Sequence, residues 1–156
     1  MNTLKNLIAI LKNKKKSLAV AESCSGGYLS YLLTKIPGSS KVFKGSIVVY
    51  SLEAKNKFFK IPLPLLKKTQ GVSNEIALLL AKRVKKVFNS DIGVSLVGFA
   101  GPETKKGIKA GTVYITVANR AGVISKKMVI KGSRDTVRKK ASLFAINLLY
   151  KVASSK

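Results

Sequence analysis

The chain has 156 residues, 46% of them hydrophobic, which is typical of one compact domain with its own core. A single cysteine and no histidine exclude an internal disulfide and zinc sites built from Cys or His pairs, and this usage fits a reducing cytoplasm. Thirty Lys and Arg residues oppose six acids, giving a formal charge of +24.

The first predicted element is an amphipathic helix. Four leucine and isoleucine residues between Leu4 and Leu11 recur at helical spacing and predict a helix over 3–16. Its basic cluster follows the apolar part and no small-residue cleavage site is visible, so we interpret it as a helix and not as a targeting segment. No apolar run approaches the length that spans a bilayer.

The next elements alternate between strand and helix. The pattern predicts a buried strand at 17–21, a turn at 21–27, a helix that starts near Ser25 or Gly26 and ends at Pro-Gly in 37–40, and a strand at 42–51.

The second half predicts more helices and a hairpin. The sequence indicates a short helix at 53–59, a loop with a single turn at 61–72, a helix at 73–89 capped by Ser73, a strand at 91–101, an exposed loop at 102–110, a hairpin of 111–118 and 122–130, and a helix at 133–153 capped by Ser133. We therefore predict one α/β domain over 1–156, with three α/β/α layers and a mixed sheet.

Three loops that follow strands or enter helices are candidate sites: 21–27, 98–104 and 131–135. The segments "SCSGG" and "GFAGP" offer backbone N–H groups to a phosphate or carboxylate, and their small residues allow a ligand close to the backbone. The members with this predicted role are Gly26, Gly27, Gly98, Ala100 and Gly101.

Because histidine is absent, a hydrolase built on this sequence needs another base. A serine activated by a lysine whose pKa is depressed by burial is the obvious replacement. The candidates are Ser39, Ser40, Tyr50 and Lys55 in "PGSSKVFKGSIVVYSLEAK". The alternative is that these serines only make turns.

Four further residues keep open alternatives. Cys24, beside a predicted helix start, is either a nucleophile or a packing residue. Glu22 either caps the turn or binds a ligand hydroxyl. Arg134 and Arg138, one helical turn apart, either bind a phosphate or serve in a salt bridge or a solvated first turn.

The ordered set "AESCSGGYLSYLLTKIPGSSKVFKGSIVVYSLEAK", "GVS", "GFAGP", "GTVYI" and "GSRDTVRKKA" resembles the C-terminal domain of the competence-damage protein CinA, which also occurs as a stand-alone nicotinamide-nucleotide amidase. The resemblance covers about residues 5–152. It implies a three-layer α/β/α domain, often a homodimer, that converts nicotinamide mononucleotide to nicotinate mononucleotide and ammonia without metal or cofactor.

By motif match, the resemblance makes Ser40 the nucleophile, Lys55 its base and Tyr50 a third polar partner. It places Ser23 in the same pocket, where Ser23 and Cys24 remain alternatives to Ser40 as the nucleophile, and gives the phosphate to Arg134 or Arg138. The loop "ETKKGIKAG" departs from the glycine- and acid-rich loop usual in the family.

Two alternatives to this enzyme remain. One is a catalytically silent nucleotide-binding domain of the same family. The other is non-specific binding of nucleic acid through the basic surface; because the lysines are scattered along the chain, we attribute the charge mainly to a general preference for lysine and expect no specific nucleic acid.

Overall fold

A five-stranded mixed sheet forms the centre of the molecule. The computed structural model describes residues 2–155, so Met1 and Lys156 of the predicted domain lie outside the described residues. The strands are β1 (Leu18–Glu22), β2 (Phe43–Val48), β3 (Ile92–Gly98), β4 (Thr112–Asn119) and β5 (Gly122–Val129), in the order β2-β1-β3-β4-β5. Strand β1 is parallel to β2 and β3, whereas β4 is antiparallel to β3 and β5.

Helices cover both faces of this sheet. They are α1 (Asn2–Asn13), α2 (Tyr28–Thr34), α3 (Leu52–Phe59), α4 (Leu63–Thr69), α5 (Asn74–Val87) and α6 (Arg134–Ser154), and a single 3₁₀ turn spans Ser39–Lys41. The buried side chains of α1, α2 and α6 form one core and those of α3, α4 and α5 another. The predicted three-layer α/β/α class with a mixed sheet is confirmed.

The two cores follow from the side-chain alternation of the fully buried strand β1. Leu18 and Val20 pack into the α1/α2/α6 layer, and Ala19 and Ala21 pack into the α3/α4/α5 layer. This alternation decides which layer each residue after the strand can reach.

Several predicted elements have other bounds in the structure, among them α2, which starts at Tyr28, and β3, which ends at Gly98; two further differences bear on the site. The segment predicted as a loop with one turn contains the seven-residue helix α4, which starts after Pro62 and has a second proline in its first turn. Proline is tolerated there because the first N–H groups of a helix have no intrahelical acceptor. Strand β2 ends at Val48 and not at Ser51, because Ser51 already caps α3 by accepting from the backbone N–H of Ala54 at 3.0 Å.

The helix caps predicted from sequence are present. Ser73 accepts a hydrogen bond from the N–H of Ile76, and Ser133 accepts one from the N–H of Thr136. Among residues 2–155, no helix combines the length and apolarity that crossing a membrane requires.

Helix α5 approaches β3 at Gly93 closely enough to exclude any side chain there. A Cβ at this position would lie 2.0 Å from the carbonyl oxygen of Ala81. We expect Gly93→Ala to destabilise the protein by about 3 kcal/mol, because helix and strand must move apart. Urea unfolding measures this loss.

Gly107→Ala is the control for that substitution. Gly107 has a φ of 77° and nothing within 4 Å of its Cβ position. An alanine there therefore costs only the strain of a left-handed backbone, about 1 kcal/mol. Equal losses in the two variants would show that α5 does not pack this tightly on the sheet.

Candidate active site

A cavity of about 610 Å³ opens where β1 and β3 end and α3 and α6 begin. Parallel strands place their carboxyl ends at one edge of a sheet, and ligands of open α/β domains bind there. Eight of the predicted site residues line it: Ser23, Cys24, Tyr50, Lys55, Gly98, Ala100, Gly101 and Arg134.

A buried serine and a buried lysine meet at the floor of this cavity. The Lys55 ammonium nitrogen Nζ lies 3.0 Å from the Ser23 hydroxyl oxygen Oγ. The same nitrogen donates to the backbone carbonyls of Val49 at 2.9 Å and Tyr50 at 3.3 Å. Ser23 is 5% exposed and Lys55 is 2% exposed, so the pair is withdrawn from bulk water.

The alternation of β1 explains why this serine reaches this lysine. Ser23 follows Ala19 and Ala21 at a spacing of two, which turns its side chain toward the layer that contains α3. Its backbone N–H still donates to Leu96 of β3, so the strand geometry continues through it. Lys55 stands in the first turn of α3 and points into the same layer.

Burial changes the acid–base behaviour of Lys55. Removal of the ammonium group from water lowers the pKa of Lys55 from 10.5 to about 8. A substantial fraction of the amine is therefore neutral near pH 8, which is the form that accepts a proton.

Burial has the opposite consequence for Cys24. It raises the pKa of the Cys24 thiol from 9.0 to about 12, so the group stays a thiol at neutral pH. Cys24 also packs in the α1/α2/α6 core. These observations favour the packing interpretation over a nucleophile.

Ser40, the predicted nucleophile, is separated from Lys55. It is exposed in the 3₁₀ turn that precedes β2, whereas Lys55 follows the other end of that strand. A six-residue strand extends about 20 Å. The predicted pairing of Ser40 with Lys55 is therefore wrong. Ser39 lies in the same turn and is likewise separated from Lys55, so Ser23 occupies the position beside Lys55 that is expected of Ser40.

Glu22, which is predicted to bind substrate, instead accepts hydrogen bonds from the start of α2 and the turn before it. Its fully buried carboxylate accepts from the Ser25 hydroxyl at 2.6 Å and from the N–H groups of Gly27, Leu29 and Ser30 at 3.0, 3.1 and 2.8 Å. Both oxygens are thus engaged on the face of the sheet away from Lys55. The capping alternative for Glu22 is the one realised.

Gly26 and Gly27 serve that same turn. Their φ values of 59° and 93° lie in the left-handed region, which glycine adopts without strain. Neither lines the cavity, so the structure gives both glycines a role in the turn and none at the candidate site.

The two arginines of α6 separate into different roles. Arg134 lines the cavity mouth, where it donates to the carbonyl of Gly101 at 2.6 Å and to the hydroxyl of Tyr50. Arg138 donates two hydrogen bonds to the carbonyl of Ser25 and so holds the turn after β1 against α6. Of the two arginines, Arg134 lines the cavity and Arg138 does not.

Tyr50 contributes differently from its predicted role. Its hydroxyl binds Arg134 at the mouth, and its ring is exposed, so the hydroxyl is not the partner of Lys55. The Tyr50 backbone carbonyl makes that contact instead.

Several lining residues carry no signal in the sequence. Gln70 follows helix α4, which sequence did not predict, and Glu103 and Lys105 belong to the atypical loop after "GFAGP". Because a loop is placed by what it packs against, spacing alone gives no signal for them. Across the described residues 2–155, no three His, Cys, Asp or Glu side chains are grouped as metal ligands would be.

The fold and this site define an open α/β/α domain with a buried serine–lysine pair at its strand ends. Residues 2–153 match the CinA C-terminal domain, and the chain belongs to that family. It is 37% identical over 141 residues to a CinA-like protein of Cytophaga hutchinsonii and 41% identical over 140 residues to one of Petrotoga mobilis.

These relatives are longer than the chain. The matches cover 90% and 89% of this chain but 34% and 35% of the relatives, so the chain spans about a third of their length. A competence or damage-inducible protein from Enterobacter asburiae has a crystal structure of matching size: its TM-score is 0.93 at 29% identity, and 97% of this chain and 96% of that chain are covered.

Proposed function

We propose that this protein is an amidohydrolase that converts nicotinamide mononucleotide and water to nicotinate mononucleotide and ammonia. The observation that carries the proposal is the contact between the buried Lys55 amine and the buried Ser23 hydroxyl at the floor of the cavity. Membership of the CinA family supports it, because the family includes nicotinamide-nucleotide amidases.

The surroundings of the Lys55 amine prepare it to act as a base. A neutral amine has two hydrogens and one lone pair. The carbonyls of Val49 and Tyr50 accept the two hydrogens, which leaves the lone pair directed at the third neighbour, the Ser23 hydroxyl. Lys55 can therefore take the serine proton in the role that histidine fills in other hydrolases.

The reaction then proceeds in two halves. Ser23 Oγ attacks the carboxamide carbon while its proton moves to Lys55, and Lys55 returns that proton to the nitrogen as the C–N bond breaks and ammonia leaves. Water, deprotonated by Lys55, then attacks the ester on Ser23 and releases the carboxylate and the free serine.

The loop after β3 supplies donors for the negative oxygen that forms on the way. Ala100 and Gly101 line the cavity, and within residues 2–155 no acceptor is found for their backbone N–H groups. Such donors stabilise an oxyanion most strongly where water is excluded.

The mouth of the cavity suits the remainder of the substrate. Arg134 and Lys105 provide positive charge for the 5′-phosphate, and Arg134 keeps unused donors after binding Gly101 and Tyr50. The exposed Tyr50 ring offers a π-face to the cationic pyridinium ring.

The test is ammonia release from nicotinamide mononucleotide across a range of pH. Since about a tenth of Lys55 is neutral at pH 7 and about nine tenths at pH 9, kcat/KM should rise roughly tenfold over that interval and level off above it. The sign follows from the lowered pKa, because the active form is the deprotonated amine.

The outcomes separate the alternatives. Binding of the mononucleotide without ammonia release would replace the enzyme by a silent nucleotide-binding domain. A rate that is flat from pH 7 to 9 would remove Lys55 as the base while leaving amide hydrolysis in place.

A further inference from the structure

The charged side chains at the edge of the sheet opposite the proposed active site are nearly all positive. Here β1, β2 and β3 begin and α1, α5 and α6 end. Two clefts open at this edge and share Leu11, Lys16 and Asp91 as lining residues.

Seven cations line the two clefts, and we call them the basic edge. The larger cleft, of about 720 Å³, is lined by Lys14, Lys16, Lys85 and Arg120. The smaller one, of about 300 Å³, adds Lys12, Lys15 and Lys41.

One acid, Asp91, faces these seven cations, and it is already engaged. Its carboxylate accepts from the Ser17 N–H and hydroxyl, both at 2.8 Å, and lies 3.4 Å from Lys16. The other five acids lie elsewhere: Glu22 is buried, Glu53, Glu75 and Asp135 are in the first turns of α3, α5 and α6, and Glu103 lines the proposed active site.

Helix stability accounts for only part of the basic edge. Lys12 and Lys85 stand in the last turns of α1 and α5, where positive charge is favourable to the helix dipole. Lys15, Lys16 and Arg120 follow helix or strand ends in loops, and Lys14 donates to the carbonyls of Ala153 and Ser155 at the end of α6.

We propose that the basic edge binds the phosphodiester backbone of a nucleic acid strand without regard to sequence. A strand carries a fixed charge on every nucleotide, and neutralising its phosphates releases counterions. The clefts contain no aromatic side chain among their described lining residues, so bases have no stacking platform and the contact is to phosphates. The concave shape favours a linear polyanion over a flat membrane surface.

The experiment measures fluorescence anisotropy of a labelled oligo(dT) 20-mer from 25 to 200 mM salt, with three variants of the full chain. The first replaces Lys12, Lys15, Lys41 and Arg120 by Gln. The matched control makes the same change to Gln at four lysines that are exposed and lie outside both clefts, Lys5, Lys57, Lys126 and Lys140. The third keeps the charge at the first four positions, with Arg for each Lys and Lys for Arg120.

The wild type should show a linear fall of log K with log salt. Each lost phosphate contact lowers the magnitude of this slope by about 0.7, so the loss of four contacts in the first variant should lower it by about 3. The first variant should also bind at least tenfold more weakly at 50 mM salt. The control should change the slope by less than about 1, and the charge-preserving variant should bind like the wild type.

Three results would overturn the proposal. Equal weakening in the first variant and the control would mean that bulk charge, not the clefts, attracts the strand. No binding by the wild type at 50 mM salt would exclude the interaction. Retention on phosphatidylglycerol vesicles that depends on the four cleft residues, without oligonucleotide binding, would assign the edge to a membrane surface instead.

Discussion

Ser23→Ala should reduce ammonia release from nicotinamide mononucleotide by at least about 10⁴-fold. Removal of a nucleophile from a hydrolase leaves only the catalysis that binding and oxyanion donors provide. The Ser23 hydroxyl is the one side-chain hydroxyl that the structure places at 3.0 Å from the Lys55 amine in the described cavity. Single-turnover assays with purified variant measure this loss without interference from product release.

Ser40→Ala is the matched control for this prediction. It removes the same atom from the serine that the sequence motif favoured, but at an exposed turn before β2. Its rate should stay within about twofold of wild type, as surface substitutions rarely perturb a distant site. If the two variants exchange their behaviour, Ser23 is not the nucleophile and the pairing with Lys55 has no catalytic meaning.

Much of the fold was accessible from the sequence because local signals agreed with each other. Apolar periodicity predicted α1, and the serine caps predicted the starts of α5 and α6. The late hairpin is also present, with β4 ending at Asn119 and β5 starting at Gly122. Helix α4 has no comparable signal, since prolines at its start are as typical of loops as of the first turn of a helix.

The site was only partly accessible, for a different reason. Lys55 and its place after β2 followed from the motif, but the choice of serine required the direction of a side chain relative to the sheet. The alternation of β1 contained that information: Glu22 and Ser23 are adjacent, so they must point to opposite layers. Applied to the sequence, this rule separates a capping carboxylate from a hydroxyl that faces α3.

The contact made by Arg138 could not be predicted from residue spacing. Arg134 and Arg138 are one turn apart on α6, and spacing alone allowed both to grip one anion. The loops that they meet belong to different strands, β3 for Arg134 and β1 for Arg138. Which loop lies under each guanidinium depends on the packing of α6 across the sheet.

Lys55→Met should abolish ammonia release and also change how stability depends on pH. The unfolded chain holds the Lys55 proton up to about pH 10.5, whereas the folded protein releases it near pH 8. Between these values the unfolded state binds more protons, so the contribution of Lys55 to folding improves as pH rises. Wild type should therefore gain about 2 kcal/mol more unfolding free energy than Lys55→Met between pH 7 and pH 10.

Lys57→Met on the same helix is the control, because it removes one exposed lysine and keeps the buried one. The overall relief of charge repulsion at high pH is then shared by all three proteins and cancels in the comparison. Urea unfolding at both pH values gives the free energies, and the ammonia assay gives the rates. A wild-type pH response that Lys55→Met reproduces would mean that the Lys55 amine keeps its proton at pH 8, and a protonated amine cannot take the proton of Ser23.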